Sequence, residues 1–337
     1  MVTMLPLGRI AELRATVNDG WRSPVADAIG LRWDIPAGVL QYWRSSAAHV
    51  FVIPPGGDTR GVLYARFAPA GSTAGARLQR GAHLHARLGD AGVAVAGLVR
   101  SRAGRPVELI PTALGEMAAC VVRRADGDEL DADGLDAGAA AAWGAALADF
   151  HQAAGPVGHE ARQENVFARL ATHPDDDLRH AAQVLNLLGD GRNPGWLVLG
   201  HGDFELDNLR WSQGKATCFD LDESGVMPAA ADVASAVRDL LGTNPGTPEH
   251  PELLAAFLAG YEQGAGLAVN LEELQLHRAE LAAQQLVESG AVLDADEPLL
   301  NNAGNGWLRE LEKSLTSHYA DQRNIVLATA QLLARAV

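Results

Sequence analysis

Two acids and one amide in the middle of the chain have the types and spacing that phosphoryl-transfer chemistry needs. Asn208 follows Asp203 by five residues, and Asp220 follows Asp203 by seventeen. A carboxylate can orient and deprotonate an attacking hydroxyl, while an amide oxygen and a second carboxylate can hold Mg²⁺ against the phosphates of ATP. We therefore predict that Asp203 is the catalytic base and that Asn208 and Asp220 are metal ligands that also contact the bound nucleotide.

Short apolar segments on both sides of these residues would bring them together. Residues 197–199 have the pattern of a buried strand that enters a loop, and residues 209–211 and 216–219 have the pattern of a hairpin. A hairpin at this place would return the chain toward the loop that it has just left. The three polar groups are then expected at one end of a small sheet.

The segment from His201 to Asn208 resembles the H-G-D-x-x-x-x-N signature of the aminoglycoside phosphotransferase and choline kinase superfamily. Residues 219–225, followed by Asp232-Val233-Ala234, are similar to the F-D-F-D-D…D-I-A segment of that family. Residues 257–261 and 276–278 are similar to the branch that contains RdoA-type kinases, CotS-like proteins and type II homoserine kinases. The resemblance extends from about residue 37 to the C-terminus.

This resemblance implies an α+β, protein-kinase-like fold with two lobes. We expect an N-terminal helical extension (residues 1–36), an N-lobe with a small antiparallel sheet (37–123), a hinge with a cleft beside it (124–130) and a larger, mainly helical C-lobe (131–337). The resemblance implies ATP and Mg²⁺ as cofactors. It also implies that His201 braces the catalytic loop and that Asp232 holds this loop from behind. Asp222 would be a second metal contact or a hydrogen-bonding support.

The N-lobe departs from the usual kinase pattern at the nucleotide site. Arg66 lies where the strand normally ends in a phosphate-binding lysine, and no acid occurs between Asp58 and Asp90 to pair with it from the following helix. Arg66 could be held by an acid from elsewhere in the chain, by backbone carbonyls or by the phosphates; we expect one of the last two, and we expect ATP to bind weakly. Ser46 is the predicted nucleotide contact in the segment that replaces a glycine-rich loop.

Composition and charge narrow the function classes. The net charge of −15 argues against a nucleic acid polymer or an acidic membrane as partner, and no apolar run is long enough for a membrane span. We expect no secretion signal and a cytoplasmic protein, with Cys120 and Cys218 as buried thiols.

The expected partners are a nucleotide and a small molecule that offers a hydroxyl. Acidic residues flank the predicted site, so an amino-alcohol or an aminoglycoside-like acceptor fits, although solvated surface acids fit as well: Glu205, Asp207 and Glu223. Two alternatives stay open, a protein Ser/Thr kinase of RdoA type and a pseudokinase that serves as a nucleotide-binding or scaffold module. The sequence leaves open the acceptor's identity, the choice between ATP and GTP, and the oligomeric state.

Overall fold

The computed structural model describes residues 4–155, 165–189, 196–295 and 306–335. The chain forms two compact units. The first unit consists of Met1–Asp128, Arg210–Ser212 and Thr217–Ser224, and the second of Glu129–Leu209, Gln213–Ala216 and Gly225–Val337. The predicted lobe boundaries and the hinge at residues 124–130 stay predictions.

The first unit is built on an antiparallel sheet of six strands in the order β1-β2-β3-β6-β4, with β5 paired to β6. The strands are β1 (Gln41–Ser45), β2 (His49–Ile53), β3 (Leu63–Pro69), β4 (Leu98–Val99), β5 (Glu108–Thr112) and β6 (Gly115–Arg123). Ahead of β4, Val95 forms a parallel bridge to Cys218, which fixes the segment that leads to Asp220.

Both faces of this sheet are covered within the first unit. The N-terminal helices α1 (Leu7–Arg14) and α2 (Pro24–Gly30) supply Leu13, Val25 and Ile29 to a buried cluster with Phe51 and Phe67 of the sheet. The other face packs against helix α3 (Thr73–Asp90), whose first turn is capped by the Ser72 hydroxyl accepting from the Gly75 amide. Residues 4–36 thus complete the core of this unit.

The second unit is mainly helical. Its helices are α4 (Ala137–Ala154), α5 (Val166–Leu170), α6 (Asp176–Gly189), α7 (Ala229–Ala236), α8 (Arg238–Leu241), α9 (Pro251–Ala265), α10 (Leu271–Ala295) and α11 (Gly306–Ala334). Strand β7 (Leu197–Gly200) pairs antiparallel with β10 (Gly225–Pro228). A separate hairpin joins β8 (Leu209–Ser212) to β9 (Lys215–Cys218), where the sequence predicts one.

Residues 229–241 have the apolar periodicity of one helix, but the structure has two helices there, α7 and α8. The break falls at Val237, whose φ of −91° and ψ of 17° lie outside the helical range. The apolar periodicity continues across this break, which is why the sequence pattern alone does not reveal it. Arg238 begins the second of the two helices.

The α+β prediction, with a small antiparallel sheet in the N-terminal part and a helical C-terminal part, is confirmed. None of the described helices is both long and apolar enough to cross a membrane.

Helices α4 and α9 cross in close backbone contact at two glycines. A Cβ on Gly144 would lie 2.0 Å from the Phe257 carbonyl oxygen, and one on Gly260 would lie 2.0 Å from the Ala141 carbonyl oxygen. Because these neighbours are backbone atoms, they have no rotamer by which to move away.

We therefore expect Gly260→Ala to lower the free energy of unfolding by about 3 kcal/mol, since the helices must separate to admit one methyl group. The control is Gly89→Ala on the exposed face of α3, where the added Cβ meets only Val95 at 3.7 Å. That change should be neutral or stabilise by up to about 1 kcal/mol through helix propensity. Urea unfolding measures the free energy of unfolding of both variants. Equal changes in this free energy at the two sites would contradict the close backbone contact between α4 and α9.

Candidate active site

The predicted base and its predicted metal-binding neighbour contact each other in the second unit. Asp203 is buried, and the side-chain amide of Asn208 donates to its Oδ2 at 2.9 Å and to its backbone carbonyl at 3.0 Å. Both contacts use the amide nitrogen of Asn208. The amide oxygen is therefore the atom that is left for a cation, as the predicted role requires.

The backbone of the catalytic loop is fixed by one buried carboxylate. Asp232 accepts from the His201 amide and from the Gly202 amide, each at 2.7 Å, and lies 2.8 Å from His151 Nε2. Burial acts to raise the pKa of Asp232, but the hydrogen bond and the charge of His151 outweigh it, so the pKa is lowered. Tyr261 in turn contacts His151 Nδ1 at 2.9 Å.

His201 lies behind the loop. Its ring is fully buried beside Phe150 and Phe204, and its Nδ1 accepts from the Asp203 amide at 3.3 Å. The imidazole therefore contacts the backbone of the predicted base and lies 0% exposed among aromatic rings. These contacts fit the bracing role, which stays a prediction.

An arginine that the sequence did not point to contacts the predicted base. Arg238 Nη1 lies 3.7 Å from Asp203 Oδ1, and Arg238 Nη2 forms an ion pair with Glu205 Oε2. Glu205 is only 7% exposed. Its carboxylate is thus a buried partner of an arginine and does not belong to an open acidic rim. No spacing rule links Glu205 to Arg238, because the contact depends on how α8 packs.

Arg66 lies between two acids of the first unit. Its Nη2 donates to Asp220 Oδ1 at 2.6 Å and to Asp222 Oδ2 at 2.7 Å. Two carboxylates therefore hold Arg66, and not the backbone carbonyls that we expected, while its contact with phosphates stays a prediction. The cause is the backbone of Asp220, whose left-handed conformation (φ 65°, ψ 65°) starts a tight 3-10 turn over Leu221–Glu223. That turn brings both carboxylates to one planar guanidinium, which suits arginine better than lysine.

Helix α3 contacts the same turn through a basic residue, whereas the usual kinase pattern has an acid on this helix. Its Arg77 donates to Glu223 at 3.0 Å. A Cβ on Gly81 would lie 2.7 Å from the Leu221 carbonyl oxygen, so α3 approaches the turn at backbone distance. The helix therefore supplies the cation, Arg77, and the turn supplies the acids. Because the turn acids already pair with Arg66, the first unit does not need an acid on α3 for this purpose.

Electrostatics in this cluster are set by two acids that share one cation. Burial raises the pKa of Asp222 to about 6, Arg66 opposes this rise, and the charge of Asp220 adds to it. Burial acts to lower the pKa of Arg66, but both acids together raise it. Nearby, burial raises the pKa of the Cys120 thiol to about 12, and Cys120 is a buried free thiol as predicted.

Ser46 lies in the turn between β1 and β2. Its amide donates to the Ala48 carbonyl at 3.1 Å, and its carbonyl accepts from the Leu5 amide at 2.8 Å. His49, which ends this turn, is buried, and burial lowers its pKa to about 4, so it is neutral at pH 7. The role of Ser46 as a nucleotide contact stays a prediction. Such a contact would use its side-chain hydroxyl.

The predicted metal ligands have the chemistry that Mg²⁺ prefers. Asn208 offers an amide oxygen, and Asp220 and Asp222 offer carboxylates, all of them hard oxygen donors. Among the described residues, no group of three or more His, Cys, Asp or Glu side chains forms a closed metal cage. Mg²⁺ usually binds through one or two carboxylates together with water and phosphate oxygens, so the residues present fit this ion.

Comparison with solved structures shows the same fold in several kinases. An amicoumacin kinase in complex with AMP-PNP and Ca²⁺ is 17% identical, with a TM-score of 0.65 over 94% of this chain and 95% of that chain. A microcompartment-associated aminopropanol kinase is 16% identical, with a TM-score of 0.63 over 92% of this chain and 97% of that chain. Choline kinase from Cryptosporidium parvum is 12% identical, with a TM-score of 0.58 over 90% and 92%. No curated protein sequence matches this chain significantly.

The fold is that of the protein-kinase-like phosphotransferases. A model of the phosphotransferase enzyme family matches residues 46–269, and the chain belongs to that family. The predicted family resemblance, the kinase-like fold and the enzyme class, a phosphotransferase with an alcohol group as acceptor, are thereby confirmed.

The shared cation of the first unit predicts a pH effect on stability. Asp222 titrates near pH 6 when folded and near 3.8 when unfolded, so its contribution is full below pH 3.8 and is lost as the pH rises through about 6. Its size is about 3 kcal/mol. We expect the unfolding free energy of the native protein to fall relative to Asp222→Asn between pH 4 and 6.

The control for this experiment is Asp58→Asn. Arg60 lowers the pKa of Asp58 to about 2, so the stability that Asp58 contributes is present above pH 3.8 and is lost toward pH 2. The difference in unfolding free energy between the native protein and Asp58→Asn should therefore stay nearly constant between pH 4 and 6. Parallel curves for native protein and Asp222→Asn across that window would show that Asp222 is ionised in the fold at pH 4.

Proposed function

We propose that the protein is an ATP- and Mg²⁺-dependent kinase that transfers the γ-phosphoryl group to a hydroxyl of a small molecule. The observation that carries this proposal is the Asp203–Asn208 contact on a loop whose backbone is tied to Asp232. A base must be held within hydrogen-bonding reach of the attacking hydroxyl, and this loop has little freedom to move its carboxylate.

Each predicted residue has a defined task in such a reaction. Asp203 orients the acceptor hydroxyl and takes its proton late in the transfer, while Asn208 offers its amide oxygen to the metal. Asp220 offers a carboxylate to the metal, with Asp222 as a second contact or support. Arg66 contributes a cation for the phosphates. Mg²⁺, when bound, screens the phosphate charge that otherwise repels the incoming hydroxyl.

The solved relatives support an amine-bearing alcohol as the acceptor class. Their printed names include aminopropanol kinase, choline kinase and spectinomycin phosphotransferase. The acidic rim gives less support, because Glu205 pairs with Arg238 and Glu223 with Arg77. Of the three flanking acids, only Asp207 is exposed. The choice among amino-alcohols and aminoglycoside-like compounds therefore rests on the relatives.

The pseudokinase alternative loses its main argument. It rested on an Arg66 that nothing holds, and the structure pairs Arg66 with Asp220 and Asp222 at ordinary ion-pair distances. For the protein Ser/Thr kinase alternative, no feature of the described residues favours a polypeptide acceptor over a small molecule. The negative net charge and the buried free thiols support a cytoplasmic location as part of this proposal.

The central test is Asp203→Asn. Loss of the base should lower the rate of phosphoryl transfer to an active amino-alcohol by about 10²- to 10⁴-fold, while binding of Mg·ATP changes little. A coupled ADP-release assay measures the rate, and thermal unfolding checks the fold. Asp207→Asn, which changes an exposed acid of the same loop, should keep most of the activity. Full activity of Asp203→Asn would contradict the assignment of the base.

A second test concerns Arg66. We expect the native protein to bind Mg·ATP with an affinity nearer millimolar than micromolar, because metal binding to Asp220 must compete with the Arg66 ion pair. Arg66→Ala should weaken binding roughly 10- to 100-fold, since it removes a charge-assisted contact to phosphate. Isothermal titration calorimetry measures both values.

The matched control for Arg66→Ala is Arg60→Ala. Arg60 is also ion-paired in the first unit, to Asp58, and makes no contact with Asp220 or Asp222. Its loss should leave nucleotide affinity unchanged. If Arg66→Ala binds Mg·ATP as tightly as Arg60→Ala and the native protein, Arg66 is a structural partner of the two acids and does not contact phosphate.

A further inference from the structure

Asp222 uses both of its carboxylate oxygens to bind Arg66. Its Oδ1 accepts from Arg66 Nη1 at 3.3 Å, and its Oδ2 accepts from Arg66 Nη2 at 2.7 Å. This is the bidentate geometry in which a planar guanidinium binds a carboxylate most specifically. The side chains of Arg66 and Asp222 are only 11% and 6% exposed. The pair is therefore largely shielded from water, unlike a surface ion pair.

Asp220 binds the same nitrogen atom of Arg66. Arg66 Nη2 donates to Asp220 Oδ1 at 2.6 Å as well as to Asp222 Oδ2. A Mg²⁺ ion binds carboxylate oxygens at about 2.0–2.1 Å and needs an octahedral shell of ligands. An ion bound to both of these oxygens would lie against Nη2, because each oxygen is within 2.7 Å of that atom, and the two positive charges would repel each other. Arg66 and a metal ion therefore compete for one position between the two carboxylates.

The backbone of Arg66 is fixed in the middle of the sheet. Strand β3 pairs with β2 on one side and with β6 on the other, so Val50 and Cys120 flank Arg66. The guanidinium can therefore leave the two acids only by changing its side-chain rotamers. Such a change would take the donor from both oxygens of the buried Asp222, which is costly.

The turn that carries Asp222 is also held closely. A Cβ on Gly81 of α3 would lie 2.7 Å from the Leu221 carbonyl oxygen and 3.0 Å from Asp222 Oδ1. The helix backbone thus covers one side of this carboxylate. The Ser224 hydroxyl donates to the Leu221 carbonyl at 2.6 Å and closes the turn. With the guanidinium and the helix around it, Asp222 has little space for the water molecules that a bound Mg²⁺ ion usually keeps.

We propose that Arg66 takes the place of a second metal ion at the Asp220–Asp222 pair, and that Asp222 is a positioning residue for Arg66 and makes no metal contact. The metal ion of the proposed reaction then has Asp220 as its carboxylate ligand, and the guanidinium supplies the other positive charge permanently. Of the two roles that the sequence leaves to Asp222, the bidentate contact favours the support. The number of ions bound with the nucleotide rests on the proposed kinase function, whereas the competition between Arg66 and a metal ion does not.

The first test measures Mn²⁺ binding without nucleotide by electron paramagnetic resonance, which distinguishes free from bound Mn²⁺. Arg66→Ala should bind one Mn²⁺ ion with a Kd of roughly 0.1–1 mM, at least about 10-fold more tightly than the native protein, because the two acids lose their competing cation. The double variant Arg66→Ala/Asp222→Asn should lose this gain. The control is Arg60→Ala, which removes the partner of the single carboxylate of Asp58 and should gain nothing.

The second test counts Mn²⁺ ions in the complex with AMP-PNP, a nucleotide that is not hydrolysed. The native protein should hold one Mn²⁺ ion per bound nucleotide. Asp222→Asn should hold the same number, because Asp222 does not contact the metal. The matched comparison is Asp220→Asn, which removes a ligand and should weaken Mn²⁺ binding in this complex by at least about 10-fold.

Three results would overturn the proposal. A second Mn²⁺ ion in the native nucleotide complex would show that Arg66 does not replace it. Loss of Mn²⁺ from the Asp222→Asn complex would make Asp222 a ligand. A folded Arg66→Ala with the Mn²⁺ affinity of the native protein would show that the two acids do not share a cation position.

Thermal unfolding checks that each variant is folded, and Arg66→Gln takes the place of Arg66→Ala if the latter is unfolded. If the native protein does not bind AMP-PNP, the proposed kinase function fails. The measurements without nucleotide still decide whether Arg66 occupies a cation position, so the two failures give different results.

Discussion

The predicted catalytic loop of the second unit depends on one buried carboxylate. Asp232 is fully buried, yet it is held ionised because two backbone amides and His151 donate to it, and these contacts place the backbone of His201 and Gly202. Every position on the loop that follows, including Asp203, is set from this anchor. Without Asp232, the two amides would be buried without partners, at a cost of roughly 1–3 kcal/mol each, and the base would lose its fixed direction.

In the first unit, a largely buried cation and not a buried carboxylate fixes the position of the predicted site residues. Arg66 draws Asp220 and Asp222 to one point, and Arg77 holds Glu223 beside them. In the usual kinase pattern a basic residue on the strand pairs with an acid on the following helix. Here the strand residue Arg66 pairs with two acids of the turn, and the helix residue Arg77 pairs with a third acid of the same turn. Three acids thus share two arginines, and Arg66 on β3 is paired although the single acid of helix α3 is its last residue, Asp90.

Charge compensation also changes which residues are candidates for substrate recognition. Acids that look like an attractive rim in the sequence are neutralised by arginines, as Glu205 is by Arg238. Among the described residues, Arg278 is instead a buried cation without an ion-pair partner, and the Nε2 of Gln275 beside it has no hydrogen-bond partner.

The sequence by itself determined several secondary-structure elements and the types of side chain at the predicted site. Strand β7 and the β8–β9 hairpin lie where apolar runs and turn residues predict them, because these signals act between residues close in the chain. The spacing of Asp203, Asn208 and Asp220 likewise defined the reaction class. Only the tertiary structure decided the partners of the charges: Arg66 reaches Asp220 across 154 residues and His151 reaches Asp232 across 81. The physical reason is that an ion pair depends on where packed elements bring two side chains, and no local pattern records that.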